Sequence, residues 1–587
     1  MNKSIFIVLI FFLLTSDITG QLPIDRQIDW TNAGLRDTTT NNFTIINLID
    51  LGINGDGITP NDDLIATVLS DQGTDGVILK FPEGTFLFNE SINLSSNSLL
   101  VGEGATKTSL ISNLGGSGHS INIAGTVLLS DTTVVIATGQ KDDNFLEVNN
   151  VDLFQSGDWI QLTQVDSHLV TSIWAEGTVG QIMQVEDIID QKIFFGSTLR
   201  KTYKLEDNPV ITKISPIENV GISCLKIVRQ DNTAPSQSSN IRFNYAVNCW
   251  VSSIESSNCT FSHIEARFSS NLKIEKSYLH DAFGFGGGGR AYGIMLHLMS
   301  NEVLVENNIF KRLRHSMILQ AGANGNVLVY NYSFDPFWTS FPSNAAGDMV
   351  LHGNYIFANL FEQNIGQNIV IDNSHGPNGP NNTFFRNKGE LFGIFFSATN
   401  SPGQNFIGNE ITNTSAPYNL VNYTIQGADH FILSNNNKGN IDPPGSDTLS
   451  TQSLYYDSIP NFVPADQWAS IGTPNLLNKG SIPSFTRIQN NDPFLNTCGE
   501  ILTSTKDQSI SDNKVNVFPN PFSELINIHS EKKILRVDIY DFSGKSVFAK
   551  NVNDNFISLR LNRLPAGIYT ATIYLQDNKT SIKRIIK

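Results

Sequence analysis

From about Asn219 onward the chain repeats one pattern of apolar and polar positions, a short alternating strand that in six of its eight occurrences ends in Asn. It recurs at 220–225 (VGISCL), 271–275 (NLKIE), 302–308 (EVLVENN), 326–331 (NVLVYN), 368–373 (NIVIDN), 383–387 (TFFRN), 405–409 (NFIGN) and 430–436 (HFILSNN). Spacings cluster in the low twenties of residues, with longer gaps where loops are inserted. Period-2 alternation predicts strands, and a fixed short repeat predicts a β-solenoid whose coils each stack on their neighbours. A propeller needs longer blades of four strands, and a sandwich does not repeat so regularly. The terminal Asn fits this role because it tolerates left-handed backbone and its amide can hydrogen-bond from coil to coil.

Before the repeat, 51–63 reads LGINGDGITPNDD, followed by FPEGTF at 81–86 and LVGEG at 100–104. This succession, over about 45–130, resembles the opening of pectate-lyase-superfamily proteins, whose fold is a right-handed parallel β-helix. In that reading Asp62 and Asp63 cap a helix at 64–70 and have no catalytic part. Residues 131–215 are strand-rich and poor in suggestive chemistry, which predicts further sheet beside the first coils, as a β-rich insertion. Between Gly445 and Thr497 the repeat fades into Pro-rich sequence, expected to close the C-terminal end of the solenoid.

Composition agrees with an all-β chain. Only 16% of the 587 residues are charged, Gly is abundant at 45, and long charged helical stretches are missing. The length implies more than one domain or a repeat. A net charge of −16 argues against nucleic acid as a partner, since phosphate binding needs local basicity, but leaves room for an anionic sugar polymer. Lys3 and the apolar run 5–14 read as a signal peptide ending near Gly20, too short to span a bilayer. No other stretch is long and apolar enough to cross a membrane. Of the four cysteines, Cys249 and Cys259 could pair or stay as buried thiols; a disulfide framework is not expected.

The last segment carries VNVFPNPF at 515–522, VDIYDFSGK at 537–545, LPAGIY at 564–569 and a basic end, KRIIK. It closely resembles the type A sorting domain of the type IX secretion system of Bacteroidetes. That resemblance implies a small β-sandwich, export through the periplasm by the type IX machinery, and a secreted or surface-attached product. The domain plan is a signal peptide at 1–20, the β-helix with inserted loops at 21–500, a linker at 501–513 and the sorting domain at 514–587. Chemistry is then expected in the solenoid.

Five of the ten histidines, His280, His297, His315, His352 and His375, fall in one stretch where loops 283–300 and 333–367 interrupt the repeat. Loops between coils wall a groove, and strands from neighbouring coils line its floor. Arg290 follows a run of glycines at 286–289, which lets backbone approach a ligand but lacks the Lys-Ser/Thr ending of a phosphate loop. Alternation through 312–315 (RLRH) puts Arg312 and Arg314 on one face and His315 on the other, unless a turn intervenes.

The set suits β-elimination from a uronic-acid sugar. A base must remove the proton beside the carboxylate, and a cation must neutralise that carboxylate. His315 or His352 is the expected base, with His297 beside them; Arg290, Arg314 and Arg386 hold acidic groups, and Tyr292 or Tyr355 donates a proton. Arg312, His375, Lys388 and Trp338 are expected to bind substrate, with Trp338 and Trp174 able to stack on sugar rings. Loss of water by the same machinery would make a dehydratase. The rival enzyme is a glycoside hydrolase, which needs two carboxylates; Asp348, Glu362 and Asp372 are available. His375-Gly376 with Arg386-Asn387-Lys388 faintly resembles elements of polygalacturonases, although Ser374 replaces a glycine and no NTD or paired DD segment precedes it. A glycan-binding or adhesive solenoid is the non-enzymatic alternative. No cofactor is firmly implied; metal dependence, with calcium the candidate, stays open, because the Asp residues form no dense run of ligands.

Overall fold

The computed structural model describes residues 22–36, 43–71, 76–232, 237–420, 425–472, 477, 479–494, 515–520, 522–541, 545–565, 567–576 and 580–587. The expected signal peptide and linker lie outside the described residues. Among these residues the fold is a parallel β-helix. Each coil gives one strand to a twelve-stranded sheet and strands to a second, twenty-stranded sheet. Leu304–Glu306, Val327–Val329, Leu360–Glu362, Thr383–Phe385 and Asn405–Ile407 stack in parallel register in the first.

The repeating Asn holds the coils together through its amide. Nδ2 of Asn308, Asn331, Asn364, Asn387 and Asn409 donates to Oδ1 of the next Asn along, ending on Asn435, at 2.9 to 3.1 Å. Each Oδ1 also accepts the backbone N–H of the preceding ladder Asn. The left-handed backbone belongs to the residue before each ladder Asn, at Asn307, Tyr330, Gln363, Arg386, Gly408 and Ser434. Stacking of identical amides, and not backbone tolerance, is therefore what selects Asn at the ladder positions. Inside the helix run aliphatic rows and a stack of Phe361, Phe384 and Phe406, with ring centroids 4.8 and 5.2 Å apart.

The insertion is a six-stranded antiparallel sheet with its own core, made from strands within 126–215. It docks on the coils through polar contacts: Asn324 Nδ2 donates to the Gly180 carbonyl at 2.9 Å, and the amides of Thr171 and Ser172 donate to Asn354 Oδ1 at 3.0 and 3.3 Å.

The Pro-rich segment does more than close an end. The outer face of the twelve-stranded sheet carries Val327, Val329, Leu360, Phe385 and Ile407, an apolar surface too large to leave in water. Residues from 22–36 and 449–488 cover it, with Trp30, Leu449, Val463, Ile471 and Ile482 in the same core. The strap runs back past earlier coils: Ser484 reaches the carbonyl of Tyr330, and Arg487 that of Asn307.

Asp62 and Asp63 sit in the first turn of the helix Asp62–Ser70, where negative charge suits the helix dipole, but Asn61 is the N-cap residue. Asp62 instead accepts the amides of Asn89 and Glu90, at 3.1 and 2.8 Å, and so has the structural part expected of it by another route. Cys249 and Cys259 are free buried thiols, and Cys224 is disulfide-bonded. The C-terminal segment is a five-stranded antiparallel sheet. A register shift between Ile534 and Arg536 switches the inward residues of its long strand Leu525–Asp541 from Ile526, Ile528 and Ile534 to Val537 and Ile539, so both halves share one core.

Candidate active site

Four neighbouring coils build the site. Strands Tyr292–His297, His315–Leu319, Met349–His352 and Ile365–Asp372 lie in order in the twenty-stranded sheet, with Tyr292 beside His315, Met317 beside Met349 and His352 beside Asp372. Alternation sends Ile294, Leu296, Met317, Leu319, Met349, Leu351, Ile369 and Ile371 into the solenoid core. The residues between them, Met295, Ile318, Val350 and Val370, form a separate apolar patch on the outer face, joined by Phe261 and Tyr292. Tyr292–His297 is thus a strand, where a loop was expected from 283 to 300.

Beside that patch runs a ladder of rings. Tyr292 and His315 have centroids 5.2 Å apart, His315 and His352 5.6 Å, and His352 and His375 4.9 Å. Trp174, from the insertion, meets His375 edge-on at 5.7 Å. The turn at Arg312, with φ at +52°, breaks the alternation expected through 312–315. Arg314 consequently lies over the Tyr292 ring, its guanidinium carbon 5.9 Å from the centroid.

The polar chemistry of the ladder is specific. His315 Nδ1 stands 3.2 Å from the Gly347 carbonyl, which can only accept, so Nδ1 carries a proton. Burial, with the charges of His352 and Arg314 adding to it, holds the imidazole well below its ordinary pKa, so the ring is neutral. Its Nε2 is therefore a lone pair, and it has no hydrogen-bond partner. Arg314 Nε and Nη1 are buried without partners too. Unpaired buried donors and acceptors cost about 1–3 kcal/mol each, so two such groups side by side call for a ligand or a function.

His352 Nδ1 approaches Asp372 Oδ2 to 2.6 Å, out of line for a straight hydrogen bond. Burial alone would raise the Asp372 carboxyl, but the His352 imidazole and the Ser374 amide and hydroxyl hold it far below the usual carboxylate range. A second pair lies on the N-terminal side. His297 Nε2 is 3.0 Å from Glu265 Oε1, while Ser239 Oγ donates to Oε2 at 2.7 Å. Burial works to raise Glu265; the His297 contact outweighs it and brings the carboxyl down to about 2. Burial keeps the Tyr292 hydroxyl raised above its usual value despite Arg314, and that hydroxyl accepts the Gly289 amide at 3.3 Å.

The structure brings Tyr292, His297, Arg314, His315, His352, Asp372 and His375 to this face. It takes several other candidates elsewhere. Arg386 is buried in the strap, donating to the carbonyls of Thr451, Ile471 and Leu449 at 3.1, 2.8 and 2.9 Å. Lys388 Nζ donates to the Gly480 carbonyl at 2.6 Å. Glu362 accepts the Ser453 hydroxyl and the Leu454 amide, again from the strap. Asp348 is buried and pins the start of its strand, accepting Ser333 Oγ at 2.5 Å and the amides of Gln367 and Asn368 at 2.9 and 2.8 Å; burial pushes its carboxyl up to about 6. Arg312 clamps two loops, its guanidinium carbon 5.0 Å from the Phe337 ring and 5.8 Å from Phe285. Trp338 spends its N–H on the Pro342 carbonyl at 2.7 Å inside its own loop. Arg290 is exposed, and Tyr355 packs with Phe357 at 5.7 Å.

Residues not anticipated are Glu265, with Arg242 beside it in register, and Arg267, beside His297. The pattern HIEARF at 263–268, one coil before the histidine stretch, is the signal that could have found them. Among the described residues no group of three or more His, Cys, Asp and Glu side chains is placed to hold a metal ion.

Residues 516–587 match the family model of a secretion system C-terminal sorting domain. The C-terminal segment is a sorting domain. It marks the chain as secreted or attached to the cell surface, with export by type IX secretion. Among the described residues no helix is long and apolar enough to cross a membrane. Residues 45–153 match the model described as rhamnogalacturonase A/epimerase, pectate lyase-like. No curated protein matches the chain. Among solved structures, the tailspike gp49 of Pseudomonas phage LKA1 is similar at 15% identity and a TM-score of 0.49, over 63% of this chain and 64% of the tailspike. The exopolygalacturonase of Thermotoga maritima aligns at 13% identity and a TM-score of 0.39, over 70% of this chain and 95% of its own. The A-module of the Azotobacter vinelandii mannuronan C-5 epimerase AlgE4 aligns at 11% and 0.35, over 70% of this chain and 100% of its own.

Proposed function

We propose that this protein is a secreted enzyme that cleaves an acidic, uronic-acid-containing polysaccharide by β-elimination, with His315 as the base. One observation carries the reading: a neutral histidine with an unpartnered Nε2 stands next to an arginine that has two unpartnered buried N–H groups. Elimination needs both. Arg314 would bind the substrate carboxylate and stabilise the charge that builds on it as the adjacent carbon loses its proton. His315 Nε2 takes that proton, and its electron pair forms the new double bond as the bond to the leaving oxygen breaks. The leaving oxygen takes a proton from the Tyr292 hydroxyl, which burial keeps protonated and which accepts from Gly289 while retaining its own hydrogen.

The unpartnered atoms are covered in the free protein, so binding must open the site. Within the glycine run, Gly287 and Gly288 are suited to give way, having nothing within 4 Å of where a side chain would begin, while Gly289 stays packed against Gln237 and bonded to Tyr292. Hydrolysis is less well supported, because it needs two carboxylates across the scissile bond. Asp348 and Glu362 are committed to structural hydrogen bonds, and Asp372 is paired with His352. The test is to incubate the purified chain with acidic polysaccharides and follow the ultraviolet absorbance of an unsaturated uronate product.

A further inference from the structure

The outer face along the ring ladder, the substrate groove of the proposed function, differs in charge between its two ends. On the N-terminal side stand Arg242, Arg267 and Arg314, with Glu265 beside Arg242 in register and itself held by His297 and Ser239. Arg242 Nε donates to Asn122 Oδ1 at 3.1 Å, and Arg267 Nε is buried without a partner. On the C-terminal side the turns 372–378 (DNSHGPN) and 397–404 (SATNSPGQ) contain no Lys or Arg. Their polar groups bond to one another: Ser397 Oγ donates to Asn373 Oδ1 at 2.6 Å, and Asn373 Nδ2 to Asn400 Oδ1 at 2.8 Å. Burial, with the charge of His352 adding to it and the Asp372 carboxylate opposing it, lowers the pKa of His375, so it brings no positive charge at neutral pH.

The insertion places a large aromatic at this uncharged end. Trp174 is 50% exposed, as a structural Trp in a packed loop would not be, and Ile173 beside it is 86% exposed. Its position is fixed. Asn354, on the coil that carries His352, accepts the amides of Thr171 and Ser172, and Gly376 leaves no room for a side chain against Thr171, whose Oγ1 is 2.4 Å from where a Cβ would sit. Trp174 thus extends the ring ladder from His352 through His375 into solvent.

We infer that Trp174 forms a subsite for a neutral sugar, so that the groove takes uronate on its arginine side and a neutral pyranose on its tryptophan side. The substrate class is then a mixed polymer in which uronic acid is linked to neutral sugar. An aromatic face complements the CH-bearing face of a pyranose, whereas a uronate here would meet Asp372 and the exposed Glu176 beside turns that carry no Lys or Arg. This inference rests on the groove being the substrate site, but not on His315 being the base.

The test uses the full chain carrying His315→Ala, so that ligand is not consumed. Its probes are an oligosaccharide of uronate alone and one in which uronate alternates with neutral hexose, with binding measured by calorimetry. Adding Trp174→Ala is expected to weaken the alternating ligand about tenfold, leaving the uronate oligomer within about twofold, and Trp174→Phe to restore most of the loss. Equal weakening of both ligands, no weakening of either, or no binding of either would overturn the subsite. The same selective loss in a His315→Ala chain that still turns over substrate supports the subsite while removing His315 as base.

Discussion

His315 gives its Nδ1 proton to the carbonyl of Gly347 at 3.2 Å, and this fixes which nitrogen is free for chemistry. The carbonyl belongs to the loop that leads into the next coil's strand, so the loop sets the tautomer of a residue in the coil before it. Replacing His315 by Ala or Gln is expected to lower kcat about 10²- to 10⁴-fold, the range for loss of a positioned general base. Circular dichroism and melting would show the fold intact. Near-normal turnover in both variants would remove His315 from the mechanism.

The acid limb of activity should lie well below pH 6.5. His315 works in its neutral form, and burial lowers its pKa, so falling pH protonates it late. A pH profile of kcat/KM should stay flat from pH 7 to 6, and a limb centred near 6.5 would contradict the assignment.

Stability should be more sensitive to acid than activity. His263 is held down to about 3 and His119 to about 4, both chiefly by burial. Between those values and about 6.5 the unfolded chain binds protons that the folded chain refuses. Their contribution is complete above about pH 6.5 and is lost as pH falls toward the folded pKa values, with a limiting slope of about 1.4 kcal/mol per pH unit for each proton. Denaturant midpoints measured between pH 7.5 and 4.5 should be level at first and then fall; no fall would contradict the buried neutral state.

Asp348 and Glu362 separate structure from chemistry. Asp348→Asn and Glu362→Gln should lower the melting temperature, since each carboxylate accepts several buried donors. The folded fraction should keep its kcat. A kcat loss of about 10³-fold with an unchanged melting temperature would restore a carboxylate mechanism.

In the ladder, Asn364→Leu removes an amide that bonds to Asn331, Asn387 and the Leu328 carbonyl. It strands buried partners on both sides and should cost about 1–3 kcal/mol for each group left unpaired, read from urea unfolding. No change in midpoint would mean that the stacked amides do not hold the coils.

The fold was legible because each coil repeats the same local demand. Strand alternation followed by Asn appears again and again, and the amide ladder explains why. The site was half legible. Tyr292, His315, His352 and Asp372 meet because equivalent positions on successive coils stack, which the repeat register implies. Arg386 and Lys388 deceived because one coil serves two sheets. Their side chains face a strap that begins more than 60 residues later, and nothing near them in the sequence announces its carbonyls. Glu265 and Arg267 were overlooked because their coil has no inserted loop, the feature used to locate the groove. The insertion's part was hidden for the same reason: Asn354 holds Thr171 across a separation of 183 residues.

The most direct test of the central claim is to treat one acidic polysaccharide with the wild-type chain and with His315→Ala, recording reducing ends and ultraviolet absorbance together. Elimination at His315 predicts that both signals rise in step for the wild type and that both vanish in the variant. Reducing ends that appear without absorbance would contradict it.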